Sequence, residues 1–376
     1  MTAKIARFLE DVQPATPCLV VDLDVVRQNY LDIRHWLPVA EVYYAVKANP
    51  APEIVSLLTG LGSNFDVASP GEIDLCLEAG ASADRISFGN TIKKQRDIAY
   101  AYGKGVTLYA FDSEAELEKL AESAPGSRVF CRILMTCDGA EWPLSRKFGC
   151  EVDMARDLLV RARDLGLDPY GISFHVGSQQ TDVSQWDIAV GKTAMLFTEL
   201  AAAGIELRMV NLGGGLPTKY RTDVPTMERY ADAIMHAMTK HFGNNIPAMI
   251  IEPGRGMVGN SGILEAEVVL ISRKSYDEDV RWVYLDVGKF GGLAETMDEA
   301  IKYRIETPYE DDETGPVALA GPTCDSADIL YEKCGYRMPL SLKVGDKVRI
   351  LSTGAYTSSY SAVNFNGFAP LKTYFV

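Results

Sequence analysis

The sequence predicts a (β/α)8 barrel carrying a second, β-rich domain, and three observations predict it. Eight short apolar runs rich in β-branched and aromatic residues follow one another, each trailed by turn residues and a helical pattern. Strand-then-helix units in such a series close a parallel sheet, with the helices outside. Beyond about residue 265 the helical pattern fades, and strand-like segments with short turns take over. The chain has 376 residues, 47% of them hydrophobic, which is length enough for both parts. A fold of this size buries about three quarters of its open-chain surface. The expected limits are residues 28–264 for the barrel, and 1–27 with 265–376 for the β-domain. A doubly wound sheet is the alternative, and it requires a reversal of strand order that a sequence cannot show.

The eight runs are residues 41–46 (EVYYAV), 64–67 (NFDV), 85–88 (RISF), 107–110 (TLYA), 128–134 (RVFCRIL), 170–175 (YGISFH), 207–212 (LRMVNL) and 248–252 (AMIIE). Between them, Ser69 with Glu72 reads as a capping box with Pro70 at the first helical position. Ser113 with Glu116 reads as another, and residues 153–165 and 185–203 carry helical spacing. In the last third, EAEVVLISRKS, DVRWVYLDVG, GPVALAG, LSLKVGDKVRILST and LKTYFV read as strands, with a hairpin turn at Val344-Gly345-Asp346-Lys347. The run CLVV at 18–21 precedes the barrel and is a candidate to pair with it.

Charge narrows the partners. There are 37 basic and 51 acidic residues, a net charge of −14. Such a chain repels phosphate backbones and anionic lipids, so nucleic acid and membrane are not expected partners. Cys18, Cys76, Cys131, Cys137, Cys150, Cys324 and Cys334 are scattered, odd in number and form no CxxC pair, so neither a zinc site nor a disulfide framework is expected. The four histidines include no HExxH, and no metal is expected. The N-terminal MTAKIARFLEDVQP has no signal-peptide core, and the expected compartment is the cytoplasm.

Chemistry in such barrels sits at the C-terminal ends of the strands. The first run closes on Lys47. A lysine there is partly desolvated, which favours the neutral amine that forms Schiff bases; its ordinary alternative is a snorkelling surface lysine. The sixth closes on His175, whose ordinary alternative is a hydrogen-bonded core histidine. The seventh closes on Gly213-Gly214-Gly215, a backbone that approaches an anion and points N–H groups at it, or else a plain flexible turn. The eighth closes on Glu252, a carboxylate that needs a partner when buried, with Arg255 the obvious structural one. Asp66 and Arg132 fit structural roles when taken alone. Together, an imine-forming lysine, an anion cradle and an acid are what pyridoxal 5'-phosphate requires.

The motifs YAVKAN, FDVAS, FHVGS, GGG, EPGR, GPTCDSAD and GAYT stand in family order from end to end of the chain. By them the sequence resembles the fold-type III pyridoxal-phosphate decarboxylases, the alanine-racemase-like group, and among these the ornithine/lysine decarboxylases. The resemblance implies that Lys47 holds the cofactor through an imine, that His175 stacks on its ring, and that Glu252 pairs with the pyridine nitrogen. It implies a phosphate site of Ser178, Gly213, Gly214, Gly215, Gly254, Arg255 and Tyr356, with Asp66 and Arg132 near the lysine. Cys324 resembles the proton donor, and with Asp325 the pair that the family supplies from a neighbouring subunit. Asp325 and Asp298 match positions that bind the substrate's distal amine, beside Tyr356, and Met297 departs from the common tyrosine next to Asp298. Glu72 matches as well, though its capping role suffices. A homodimer follows from the resemblance, with active sites at its interface and Lys147 paired with Asp328 across it.

The implied reaction is decarboxylation of a basic amino acid, L-ornithine to putrescine in polyamine biosynthesis and also L-lysine to cadaverine. The two substrates differ by one methylene, which apolar contacts separate by about 1–3 kcal/mol. Diaminopimelate decarboxylases of the same fold usually read CES where this chain reads Cys324-Asp325-Ser326. Two other classes fit the sequence less well. A non-catalytic relative like the antizyme inhibitors tends to lose cofactor residues, and the main ones are present here. A cofactor-free Schiff-base aldolase leaves the glycines, Glu252 and the β-domain without a role.

Overall fold

The computed structural model describes residues 1–136, 139–142, 147–309 and 311–376, so Cys137 lies outside the described residues. Strand β1 (Cys18–Val21) comes first. Then follow β2 (Ala40–Ala45), β3 (Asn64–Val67), β4 (Ile86–Phe88), β5 (Leu108–Phe111), β6 (Arg128–Arg132), β7 (Ala140–Trp142), β8 (Asp168–Ser173), β9 (Ser178–Gln180), β10 (Met209–Asn211) and β11 (Ala248–Ile251). Eight of these, β2 to β6 with β8, β10 and β11, pair in parallel and close into a barrel. The short β7 and β9 pair antiparallel outside it. The eight barrel strands coincide with the eight runs of the sequence to within a residue or two at most ends. The sixth stops at Ser173, so His175 stands in the loop beyond.

The chain divides into two compact units. The barrel unit comprises Arg27–Pro217 and Val224–Met257; the strand-rich unit comprises Met1–Val26, Thr218–Asp223 and Val258–Val376. The C-terminal stretch of the second unit thus begins at Val258, seven residues before the expected 265. The reason is β12 (Gly262–Ser272), whose first residues already pair with β1, Val21 opposite Gly262.

The remaining strands are β13 (Arg281–Leu285), β14 (Ile305–Glu306), β15 (Thr314–Ala320), β16 (Ile329–Tyr331), β17 (Arg337–Pro339), β18 (Lys347–Leu351) and β19 (Lys372–Phe375). They form one sheet with β1 and β12. β1 therefore pairs with β12 and β19, not with the barrel. Its buried Cys18 and Val20 pack with Ile263, Leu351 and two residues of the N-terminal helix, Ile5 and Leu9. The turn at Val344–Lys347 forms, with Lys343 N–H donating to Asp346 at 2.7 Å. It does not make a hairpin: β17 pairs with β15, while β18 pairs with β12 and β14.

Side chains alternate across each barrel strand, and one face fills the interior. Tyr43, Leu108, Ala110, Phe130, Met209 and Ile250 form that inner cluster, with Tyr170 packed against it. Two residues further along three of these strands, on the same face, come Arg132, Asn211 and Glu252. Ala45, two beyond Tyr43, is in register with Asp66 on β3. The pleat that fills the barrel thus delivers polar groups to its C-terminal mouth.

Around the barrel, helix Pro70–Glu78 starts as expected, its N-cap Ser69 accepting from Glu72 N–H at 3.3 Å. Glu72 reaches one residue further back than a capping box does and accepts from Ala68 N–H at 2.7 Å. Ser113 precedes helix Glu114–Ser123 but its side chain makes no cap bond. Its expected partner Glu116 is instead 3% exposed and pairs with Lys93 at 3.0 Å. Lys93, with a fully buried side chain, also donates to the carbonyls of Asn90 and Ala110 at 2.7 Å each. Burial outweighs that pairing and lowers the Lys93 ammonium to about 8.

Candidate active site

At the barrel mouth, Lys47 lies in the single 3-10 turn that follows β2. Its Nζ donates to Asp66 Oδ2 at 3.3 Å. The Lys47 side chain is 53% exposed against 5% for Asp66. The desolvation expected of a strand-end lysine therefore does not fall on Lys47; it falls on Asp66. Burial raises the Asp66 carboxyl, opposed by the charges of Lys47 and Arg132. A Cβ on Gly89 would stand 1.9 Å from Asp66 Oδ1, so glycine there is what lets this carboxylate seat.

Glu252 follows β11 directly. Burial, and next the nearby charge of Asp66, raise its carboxyl to about 7, against Lys47, a hydrogen bond from Asn211, and Arg132. Its side chain accepts a hydrogen bond from Asn211 Nδ2. Arg255 is 4% exposed and opens a short helix. Its guanidinium donates twice to Ser178 Oγ, from Nε and from a terminal nitrogen, at 3.3 Å each.

His175 accepts from Gly177 N–H on Nδ1 at 2.9 Å. Burial, and then the charges of Arg132 and Lys47, hold its pKa well below the ordinary value. The ring is neutral, and because Nδ1 is an acceptor its proton is on Nε2.

The glycine run has the geometry of a nest. Gly213 (φ +64°) and Gly215 (φ +109°) both lie in the left-handed region. Glu252 O and His175 Nε2 stand 2.7 and 3.2 Å from where a Gly214 Cβ would be, and Gly177 O stands 2.7 Å from that of Gly215. Gly213 N–H is already spent on Asn211 Oδ1 at 2.9 Å. Among the described residues, Gly214 and Gly215 N–H have no protein acceptor. Two donors of the nest therefore remain for an anion, not three.

The barrel thus brings together Lys47, Asp66, Arg132, His175, Ser178, Gly213–Gly215, Glu252, Gly254 and Arg255. Glu72 and Lys147 also lie in the barrel unit, while Asp298, Cys324, Asp325, Asp328 and Tyr356 belong to the strand-rich unit. There Cys324 is exposed, and its N–H and Sγ point at Asn366 Oδ1, at 3.1 and 3.5 Å. Asp325 is exposed and accepts from Ala327 N–H at 2.8 Å. Asp298, also exposed, takes positive φ (+52°) beside Glu299 (+55°), and Tyr356 takes +54°. Non-glycine residues pay for such conformations with strain, and these cluster at functional loops. Asp328 is 2% exposed and accepts from Lys289 N–H, Thr323 N–H and Thr323 Oγ1. Lys147 is exposed, with Nζ 5.0 Å from the Phe148 ring centroid.

The sequence reading missed Asn211 and Asn366. Asn211 stands two residues before the glycine run inside an apolar strand, where a buried amide needs a partner. That was its one available signal.

A family model described as "Pyridoxal-dependent decarboxylase, pyridoxal binding domain" matches residues 23–259. The chain is similar to the lysine/ornithine decarboxylase of Selenomonas ruminantium, 38% identical over 355 residues that cover 94% of this chain and 88% of that one. A crystal structure of lysine decarboxylase from that organism is alike in fold with a TM-score of 0.88 at 34% identity, over 100% of this chain and 96% of that one. The lysine/ornithine decarboxylase of Vibrio vulnificus, solved with cadaverine, gives a TM-score of 0.88 at 29% identity, over 100% and 99%.

Proposed function

The chain belongs to the pyridoxal-dependent decarboxylase family, fold type III, and on that premise we propose that it decarboxylates L-ornithine to putrescine, and L-lysine to cadaverine beside it. The residues at the barrel mouth fit pyridoxal 5'-phosphate. Gly214 and Gly215 offer two free N–H groups in a nest that no Cβ can enter. Arg255 and Ser178 stand as a linked pair for the phosphate charge. That cradle, at the same barrel mouth as Lys47 and Glu252, is the observation that carries the reading.

When bound, the cofactor supplies an electrophilic carbonyl and an electron-accepting ring for the pair of electrons left when the substrate's carboxylate departs as CO2. The chain's own residues do the rest. Lys47 brings the amine, steered by Asp66. Glu252, whose proton affinity is already raised, holds a proton at the pyridine nitrogen. Neutral His175 presents an uncharged ring face that adds no positive charge to the pocket. Cys324 delivers a proton to the carbon that has lost CO2. Asp325 and Asp298 receive the distal ammonium by charge-assisted hydrogen bonds. Tyr356 joins the phosphate ligands.

Cys324 and Asp325 act in the neighbour's site in this reading, which makes the working unit a homodimer with Lys147 meeting Asp328 across it. The proposed role is diamine supply for polyamine synthesis, and the proposed compartment is the cytoplasm, where the six described cysteines, all free thiols, stay reduced. The test is CO2 release from L-ornithine, L-lysine, L-arginine and meso-diaminopimelate by the purified holoenzyme. Turnover of ornithine and lysine is expected; turnover of diaminopimelate alone overturns the assignment of Asp325.

A further inference from the structure

Asn211 makes two hydrogen bonds, one to the glycine run and one to the candidate acid. Its Oδ1 accepts from Gly213 N–H at 2.9 Å, and its Nδ2 donates to Glu252 Oε1. The orientation of the amide is not arbitrary. A backbone N–H can only donate, so the oxygen must face Gly213; that leaves the NH2 for the carboxylate, which accepts. Asn211 is 1% exposed and rigidly placed, two residues beyond core Met209 on the same face of β10. Swapping the two ends would leave two donors facing each other at Gly213 and two acceptors at Glu252.

We infer that Asn211 is a positioning residue that ties the acid facing the pyridine ring to the first turn of the phosphate nest. One end orients Glu252 and stabilises its ionised form by donating a hydrogen bond. The other occupies Gly213 N–H and fixes that glycine at φ +64°. The turn then aims Gly214 and Gly215 N–H at the anion. Both ends of the cofactor are therefore gripped through a single side chain. This rests on Glu252 meeting the pyridine nitrogen.

Two variants separate the ends. Asn211→Leu keeps the volume and removes both bonds. Asn211→Asp keeps an oxygen for Gly213 N–H but sets a second carboxylate against Glu252, a contact that survives only with a proton held between them. Three quantities are read: the pyridoxal phosphate dissociation constant by fluorescence, the pH midpoint of its visible absorption in the bound form, and kcat against KM for L-ornithine. Melting of the cofactor-free proteins checks folding. For Asn211→Asp, cofactor affinity within about threefold of the parent is expected, with the spectral midpoint moved upward and kcat lowered more than KM is raised. For Asn211→Leu, affinity about tenfold weaker or more is expected, as one or two lost hydrogen bonds give. An Asn211→Leu protein that melts like the parent, binds the cofactor as tightly and keeps its spectral midpoint overturns the inference. So does an Asn211→Asp protein with an unmoved midpoint. If the parent itself binds no cofactor, it is the reading of the whole site that fails.

Discussion

The backbone N–H of Gly177 donates to Nδ1 of His175 at 2.9 Å, and this bond decides the state of the ring. It leaves the proton on Nε2 and denies Nδ1 a second one unless the loop turns. With burial and two nearby cations acting in the same direction, His175 stays neutral through the physiological range. Titration followed by NMR of its ring protons is expected to show no charging between about pH 6 and pH 9. A midpoint near the ordinary 6.5 contradicts this.

In the proposed function Lys47 is the residue that would carry the covalent link to the cofactor. Lys47→Ala is expected to lose the visible absorption of bound pyridoxal phosphate and to lower CO2 release by roughly 10³-fold or more. An unchanged band and rate remove the assignment.

The raised Glu252 carboxyl has a pH signature. Its pKa is about 7 in the fold against the ordinary 4.5. The protonated form is thus favoured by folding, and that stability is whole below about pH 4.5 and lost as pH rises through 7. Asp66, also raised, acts in the same sense. His175 acts oppositely, costing stability as pH falls below its ordinary value. The melting temperature of cofactor-free protein is expected to fall between about pH 5 and pH 8, and to fall less in Glu252→Gln. Parallel curves for the two proteins contradict the raised value.

Gly215 has no room for a side chain and sits at φ +109°. Gly215→Ala adds strain of about 1–3 kcal/mol, and the methyl is aimed at Gly177 O. Weaker cofactor binding is expected together with the lower stability. Parental affinity, measured by equilibrium dialysis, shows that the nest does not hold the phosphate.

The buried Lys93–Glu116 pair predicts a stability effect away from the chemistry. Glu116→Ala strands a buried ammonium and is expected to cost about 3–5 kcal/mol in urea unfolding. A loss under about 1 kcal/mol indicates that water reaches Lys93.

Shared sites can be tested by mixing. Lys47→Ala and Cys324→Ala proteins are each expected to be inactive. Randomly re-associated dimers then regain about a quarter of parental activity, because half are hybrids with one intact site of two. No recovery on mixing, with exchange confirmed by mass spectrometry, excludes sites built from two subunits.

Much of this was readable in the chain itself. Eight β-branched runs gave the barrel, since parallel strands buried on both faces must be apolar throughout. The places of Lys47, Glu252 and the glycines at the strand ends were readable because each closes such a run, although the desolvation expected at Lys47 falls on Asp66. What escaped depends on long-range contacts. Ser113 and Glu116 have capping-box spacing, yet Glu116 is drawn to Lys93, 23 residues earlier, where a buried ammonium needs it more. β1 pairs with the last strand of the chain, Cys18 opposite Lys372, which no local pattern announces. The turn at Gly345 was recognised by its residues, while the partners of its flanking strands were not. Asn211 was hidden because a lone amide in a strand has no partner visible in sequence.

Met209 and Asn211, Phe130 and Arg132, and Ile250 and Glu252 share a face on three barrel strands, so packing and chemistry obey one constraint. A single inserted residue anywhere between such a pair would roll the polar member outward and leave a hole at the mouth while the oily layer beneath stayed intact. The molecule would remain well folded and yet be chemically inert. Added length is therefore expected to be tolerated only in the loops, and the strands are rulers whose tick marks have to agree all round the ring.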